Sequence, residues 1–307
     1  MAQSHLFQPA WNFLGLPDEL AAPARARAWI LPVPYEGTTS YGAGTREGPA
    51  AIIAASRQVE LFDREFDCEP AMSIGVHTLN PLGLEHRSPE AMVGAIEQAV
   101  AGILTGRPKP ETLVVLGGEH SISAGVARGM KRAGLKDLVV VHVDAHADLR
   151  DEYEGSPFSH ACAARRIVEV APIFQIGIRN LSEGEERFRA KSKRVRTVFS
   201  EEALAGRAYL KELARFVRGR DVYFTIDLDG LDPAEMPAVG TPEPGGLSWD
   251  DLIAVARVVC REARRVPVFD VVELAPIPAL KAPDFLAAKL VHKIIALALY
   301  RRPRRRA

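Results

Sequence analysis

Cysteine is scarce in this chain: Cys68, Cys162 and Cys260 are the only three, and they lie far apart. That excludes a disulfide framework and any CxxC zinc site, and it suits a reducing compartment. Uncharged apolar runs approaching the roughly 20 residues of a membrane helix are also missing. An N-terminal secretion signal is not expected, because Pro9, Asn12, Pro17 and Asp18 break its apolar run early. Net charge is absent too. The 39 basic residues balance 39 acidic ones, so no global field draws the chain to nucleic acid or to an anionic membrane. Low-complexity segments and Pro/Gly/Ser linkers do not occur. These absences leave the expectation of a soluble cytoplasmic protein with one domain over 1–307. Within it, 1–27 forms an N-terminal extension and 301–307 a basic, solvated tail.

What is present is a regular alternation. Short apolar, β-branched runs at 28–33, 71–76, 112–116, 137–143, 173–178, 194–198, 221–226 and 266–272 read as strands. Between them, 48–60, 89–104, 120–133, 160–170, 182–191, 201–217, 248–264 and 284–300 have helical spacing. Ser248 ahead of Trp249-Asp250-Asp251 reads as an N-cap with acids in the first turn. Nearly continuous apolar strands alternating with helices imply a parallel sheet covered on both faces. Periodicity does not choose between a closed barrel and an open sandwich. In both, ligands bind at the C-terminal ends of the strands.

Three of those ends carry ligand-type residues: Gly117-Gly118-Glu119-His120-Ser121, Asp144-Ala145-His146-Ala147-Asp148 and Asp227-Leu228-Asp229. Strand side chains alternate, so Asp144, His146 and Asp148 share one side, as do Asp227 and Asp229. Four carboxylates and two imidazoles on one sheet edge would repel one another and lose hydration unless cations sat among them. Two divalent ions relieve both problems. An oxygen-rich set with imidazole and no thiolate suits Mn2+ better than structural zinc. His142 sits inside an apolar run and reads as a core histidine. Glu119 reads as a residue supporting the ligands, and Asp232 before Pro233 as a turn former.

The three blocks, the third extended as Thr225-Ile226-Asp227-Leu228-Asp229-Gly230-Leu231-Asp232-Pro233 and through Pro237, Gly240-Thr241-Pro242 and Gly245-Gly246, resemble the signature blocks of the ureohydrolase (arginase/agmatinase) family. The N-terminal Pro34-Tyr35-Glu36-Gly37-Thr38-Thr39-Ser40-Tyr41 and Gly44-Thr45-Arg46-Glu47-Gly48-Pro49 resemble its agmatinase branch. The likeness runs from about residue 30 to 300. It implies a three-layer αβα sandwich with an open, eight-stranded, mainly parallel sheet, and two Mn2+ per chain. By resemblance, His120, Asp144, Asp148 and Asp227 would hold one ion and Asp144, His146, Asp227 and Asp229 the other, with Asp144 and Asp227 bridging.

The resemblance also implies roles around the substrate. Glu273, in Val271-Val272-Glu273-Leu274-Ala275-Pro276, would grip a guanidinium through paired charge-assisted hydrogen bonds. His160 would sit near the substrate and relay protons to a leaving amine, and Asp148 would share that task. After His160 many members carry glycine and a small polar residue, whereas this chain has Ala161 and Cys162. Cys162 reads as a buried small side chain rather than a nucleophile. The loop 149–159 contains no asparagine and three acids, Asp151, Glu152 and Glu154. Asp151 and Glu154 are therefore expected to attract a substrate amine and repel a carboxylate. The implied activity is cleavage of agmatine to putrescine and urea. The same chemistry on an aminopropylated agmatine, arginine or guanidinobutyrate stands second. A one-metal amide hydrolase of the same topology and a non-enzymatic binding protein are the remaining readings. The implied partners are a small cationic guanidino compound and further copies of the chain, as trimers or hexamers, with no nucleic acid and no membrane.

Overall fold

The computed structural model describes residues 11–300, so the basic tail 301–307 lies outside the described residues, as does the start of the extension at 1–10. Eight strands form one sheet: β1 (Ala28–Val33), β2 (Val76–Thr78), β3 (Thr112–Gly117), β4 (Leu138–Val143), β5 (Ile173–Ile178), β6 (Val195–Phe199), β7 (Asp221–Asp227) and β8 (Arg265–Val272). Every neighbouring pair is parallel, in the order β2-β1-β3-β8-β7-β4-β5-β6. The order is linear with β2 and β6 as edges. The sheet is therefore open rather than a barrel.

The helices are α1 (Asp18–Ala21), α2 (Gly48–Ser56), α3 (Pro70–Ile74), α4 (Pro89–Thr105), α5 (Ile122–Arg132) and α6 (Ala163–Val170), followed by α7 (Glu183–Lys191), α8 (Ser200–Ala205), α9 (Tyr209–Val217), α10 (Trp249–Glu262) and α11 (Ala282–Leu299). Strand alternation separates two cores. Leu113, Val115 and Val140 face α4, α5 and α6 through Met92, Ile96, Val126 and Ile167. Val114, Leu116 and Val141 face α2, α9, α10 and α11 through Ile52, Leu213, Val255 and Leu290. Both faces of each central strand are dry, which is why those strands read as unbroken apolar runs. No described helix is long and apolar enough to cross a membrane.

The chain order explains where a site can form. From β1 the chain moves outward to β2, returns to β3, then jumps to β4 and outward again through β5 and β6. Only afterwards do β7 and β8 fill the gap. Connections therefore diverge above the C-terminal ends of β3, β8, β7 and β4, opening a crevice there.

Two expectations need correction. The run 71–76 is not a strand: Pro70 at the first helical position starts α3, Gly75 at φ 70 ends it, and only then does β2 begin. The helix expected over 201–217 breaks at Gly206, whose φ of 153 no helix tolerates, giving α8 and α9. Within the described part of the extension, Phe13 and Leu16 are fully buried in the core beside α2.

Candidate metal centre and active site

The turn after β3 brings His120 into the crevice. Gly118 is required there, because a Cβ would lie 1.8 Å from the Tyr35 carbonyl oxygen. After β4, the backbone amide of His146 closes on Asp144 Oδ1 at 2.6 Å, and Asp148 adopts a left-handed φ of 51 that returns its carboxylate to the cluster. At the end of β7, Asp227 accepts the Asp229 amide at 2.9 Å in a short 3-10 turn, so both side chains face one way.

These residues meet. His120 Nδ1 lies 3.1 Å from Asp144 Oδ2, 3.2 Å from Asp148 Oδ2 and 3.1 Å from Asp227 Oδ2, yet it makes no hydrogen bond. On the other side, His146 Nδ1 is 2.9 Å from Asp229 Oδ2 and 3.6 Å from Asp144 Oδ1. Asp144 thus lies between two groups of donor atoms. Apart from the half-buried His146, all six residues are buried.

The donor set fits divalent cations. Among the described residues, no lysine or arginine pairs with the four aspartates; only imidazoles do. Burial favours neutral imidazoles, but the surrounding carboxylates outweigh it, raising His146 to about 12 and His120 well above its usual value. Burial and the neighbouring carboxylates push Asp227 and Asp148 up. At Asp144, by contrast, three imidazoles outweigh burial and hold the carboxyl low. These shifts mark a deficit of positive charge in the cluster. The orphaned Nδ1 facing three oxygens is the geometry a metal ligand has before its ion.

His142 is not a seventh ligand, because both its nitrogens are committed. The Gln175 amide nitrogen faces the Ala147 carbonyl at 2.8 Å, an atom that only accepts, which fixes the amide's orientation. The same nitrogen donates to His142 Nδ1 at 3.0 Å, so Nε2 carries the proton given to Asp144 Oδ2 at 2.7 Å. The expected core histidine is therefore satisfied, and it also holds a ligand candidate in place.

A cavity of about 180 Å³ opens over the cluster. Glu273 stands at its floor with φ 67, accepting the His120 amide on Oε1 at 2.6 Å. Its carboxyl is pushed well up by burial and by the nearby Glu119 charge. Glu119 itself is saturated by the amides of Gly37 and Thr38, both at 2.7 Å, and by the Thr38 and Ser121 hydroxyls. Through Thr38 it reaches His160, whose amide donates to Thr38 Oγ1 at 2.9 Å and whose ring lies edge-on to Tyr153.

With this geometry in view, the Arginase family model matches residues 26–296. The chain belongs to the arginase family. It is 35% identical to an N(1)-aminopropylagmatine ureohydrolase of Synechocystis over 281 residues, 91% of each chain. A Bacillus subtilis agmatinase is 33% identical, covering 82% of this chain and 84% of its own. The agmatine ureohydrolase of Thermoplasma volcanium superposes with a TM-score of 0.82 at 29% identity, covering 97% of both chains.

In this arginase-family ureohydrolase, the cavity is lined by His120, His146, Asp148, Asp227, Asp229, His160 and Glu273, with Asp144 buried behind them. Asp151 and Glu154 do not join them. Asp151 is 74% exposed and pairs with Arg165 and Arg166, while Glu154 sits on an exposed tight turn between Tyr153 and Ser156. The loop's inward residues are instead Arg150 and Tyr153, stacked at 4.9 Å, with Arg150 Nε 3.7 Å from Glu185. Cys162 is fully buried, its thiol pushed up to about 12 by burial and by Asp148. Asp232 builds a turn, accepting the amides of Ala234, Gly245 and Gly246.

Sequence reasoning missed Arg179. Its guanidinium gathers the carbonyls of Asp229, Leu231 and Glu243, among others, and so fixes the loop that carries Asp229. The one signal was Gly177-Ile178-Arg179 at the end of a strand without ligands. Thr38, Tyr41, Asn180 and Glu185 were likewise invisible as cavity or support residues, because the first three are brought in from distant loops and Glu185 from the first turn of α7.

Proposed function

We propose that the protein hydrolyses the guanidinium group of a linear, agmatine-type amine and releases urea, acting on N(1)-aminopropylagmatine first and agmatine second. The observation that carries the reaction class is the six-residue cluster beneath a cavity lined by Glu273, a carboxylate that no lysine or arginine among the described residues pairs with. The order of substrates rests on the relatives: of four named for N(1)-aminopropylagmatine, three are 35–36% identical and one is 31%, while the agmatinases are 32–34% identical.

We further propose two Mn2+ per chain, held by His120, Asp144, Asp148 and Asp227 on one side and Asp144, His146, Asp227 and Asp229 on the other. Bound there, the ions would supply Lewis acidity and bring the pKa of water at the site into the working range. The chain's own residues do the rest. Glu273 orients the guanidinium by charge-assisted hydrogen bonds and favours its cationic form. Asp148, beside the cluster and open to the cavity, takes the proton shed as water adds to the guanidinium carbon. His160, hydrogen-bonded to Thr38 and flanked by Tyr153, hands a proton to the departing amine.

The test is urea release from N(1)-aminopropylagmatine, agmatine, arginine and guanidinobutyrate by Mn2+-loaded protein, with the metal content counted. Release of urea with two ions per chain is expected. No urea from any guanidino compound, or a fully active protein holding one ion per chain, would overturn the proposal.

A further inference from the structure

Beneath the carboxylates a second polar layer runs away from the cavity into the sheet. While His120 turns Nδ1 to the cluster, its Nε2 lies 3.1 Å from Thr225 Oγ1 on β7. Thr225 Oγ1 is 3.4 Å from Ser123 Oγ on α5, and Ser123 Oγ is 2.7 Å from Asp270 Oδ2 on β8. The Tyr223 hydroxyl reaches the same Asp270 oxygen. Thr225, Ser123, Asp270 and Tyr223 are all fully buried, and none lines the cavity.

The protons of this chain can be assigned from its inner end outward. Asp270 Oδ2 receives two hydroxyl donors, so it is an acceptor. Ser123 has one proton and spends it on Asp270, the shorter of its two contacts. Toward Thr225, then, Ser123 can only accept. Thr225 spends its own proton there, leaving its oxygen to face His120 Nε2 as an acceptor. Nε2 must therefore carry hydrogen. A neutral imidazole with hydrogen on Nε2 has its lone pair on Nδ1, the buried atom that lacks a hydrogen bond and faces Asp144, Asp148 and Asp227.

We infer that Asp270, acting through Ser123 and Thr225, fixes the tautomer of His120, and that these three are positioning residues for one of the two cation sites. The inference rests on the metal-centre reading above. With the donor direction reversed, Nδ1 would aim an N–H at three carboxylates and obstruct a cation. With the direction as drawn, every donor points away from the cluster and ends on a carboxylate, which also makes the imidazole a stronger ligand. Four buried polar side chains, three on the sheet and one on α5, are thus committed to one bond direction. Sequence inspection would pass over them, because Thr225 and Tyr223 sit in a strand, Ser123 in a helix and Asp270 mid-run.

The experiment uses the full chain and the variants Thr225→Val, Thr225→Ser, Ser123→Ala and Asp270→Asn. Free Mn2+ is followed by electron paramagnetic resonance during titration, giving the number and affinity of sites. The nitrogen that binds is read from 113Cd–15N coupling in cadmium-loaded, histidine-labelled protein. Wild type is expected to couple through Nδ1 of His120. Thr225→Val and Asp270→Asn should each weaken one site by roughly 10- to 100-fold and spare the other. Thr225→Ser, which restores the hydroxyl, should return to about wild-type affinity, a rescue that loss of packing would not give. Should Thr225→Val fail to fold, as judged by thermal unfolding without cation, Ser123→Ala carries the comparison with a smaller loss in the same site. Unchanged Mn2+ affinity in the folded variants, or coupling through Nε2, would overturn the relay alone. A wild-type protein that takes up no Mn2+ would instead remove the metal-centre reading, and the relay with it.

Discussion

Two non-glycine residues at the cavity floor, Asp148 and Glu273, hold left-handed backbone at φ 51 and 67. Each such residue costs on the order of 1 kcal/mol or more, and the cost persists only where the surroundings impose it. Here the return is direction, since both carboxylates face the space a guanidinium would enter. Glu273 uses Oε1 on the His120 amide and lies close enough to Glu119 to resist ionising, so an arriving cation relieves it. Glu273→Gln preserves shape and the His120 contact but removes the charge. It should retain both metal ions and lower kcat/KM on the order of 100-fold, a few kcal/mol of lost charge-assisted bonding. A folded, metal-loaded variant with wild-type kcat/KM would show that another group holds the substrate. Cys162 gives a second test. Its buried thiol, pushed up to about 12, has almost no thiolate at pH 8, whereas Cys68 is partly accessible. Mass mapping after iodoacetamide should find Cys68 labelled and Cys162 spared; labelling of Cys162 in the folded protein would contradict its burial.

At the scale of elements, what could be read in advance divides along a physical line. Seven of the eight strands lie where their apolar runs place them, because central strands buried on both faces leave nearly continuous apolar runs. The exception, 71–76, was equally apolar, but two local residues, Pro70 and Gly75, outvoted the run. The helix start at Ser248 was legible because its chemistry is local. The structure adds the reciprocal half, with the Ser248 hydroxyl taking the Asp251 amide at 3.2 Å and Asp251 reaching back to the Ser248 amide. Ser248→Ala should therefore cost about 1 kcal/mol in urea unfolding and leave kcat intact. A loss of activity without loss of stability would mean the cap serves the site instead. The ligand candidates were legible for the same reason, each lying within five residues of a strand end. Arg179, Thr38 and Asp270 were not, because their partners stand 50 to 147 positions away: Asp229 for Arg179, Glu119 for Thr38, Ser123 for Asp270. Such pairings are created by the sheet order and have no local trace.

Across the whole molecule, balanced charge conceals uneven placement, and two outcomes depend on it. His292 on α11 is buried, with no hydrogen-bond partner on either ring nitrogen among the described residues. Burial and the Lys289 charge push its pKa down to about 4. An unfolded histidine titrates near 6.5, so between about 6.5 and 4 the unfolded chain binds a proton that the folded one refuses. Stability should thus fall with pH through that window, by up to about 3 kcal/mol. His292→Leu should flatten this part of the urea-midpoint profile, and an unchanged slope would acquit His292. The second outcome is substrate choice. The acidic loop does not decide it, since Asp151 pairs with Arg165 and Arg166. Two divalent ions would balance the four aspartates, leaving Glu273, Glu185 and Arg150 as the cavity's remaining charges, net one negative. Glu273 takes the guanidinium. Glu185 is left for the far end of the substrate, with Arg150 3.7 Å from it across the same wall. An amine tail competes with Arg150 for Glu185 and leaves the arginine free to swing toward solvent. An α-carboxylate would have to pull Arg150 away from Glu185, which keeps its bonds from the Leu149 amide and the Ser182 amide and hydroxyl but loses a half-exposed ion pair, at a cost of about 1 kcal/mol. Arginine should therefore trail agmatine by roughly 5-fold in kcat/KM, with N(1)-aminopropylagmatine at least equal to agmatine. Arg150→Ala should widen the gap against arginine, because among the described residues Arg150 is the one arginine lining the cavity. Arginine matching agmatine in the wild-type protein, or gaining on it in Arg150→Ala, would show that the far end of the substrate is read by something other than the Glu185–Arg150 pair.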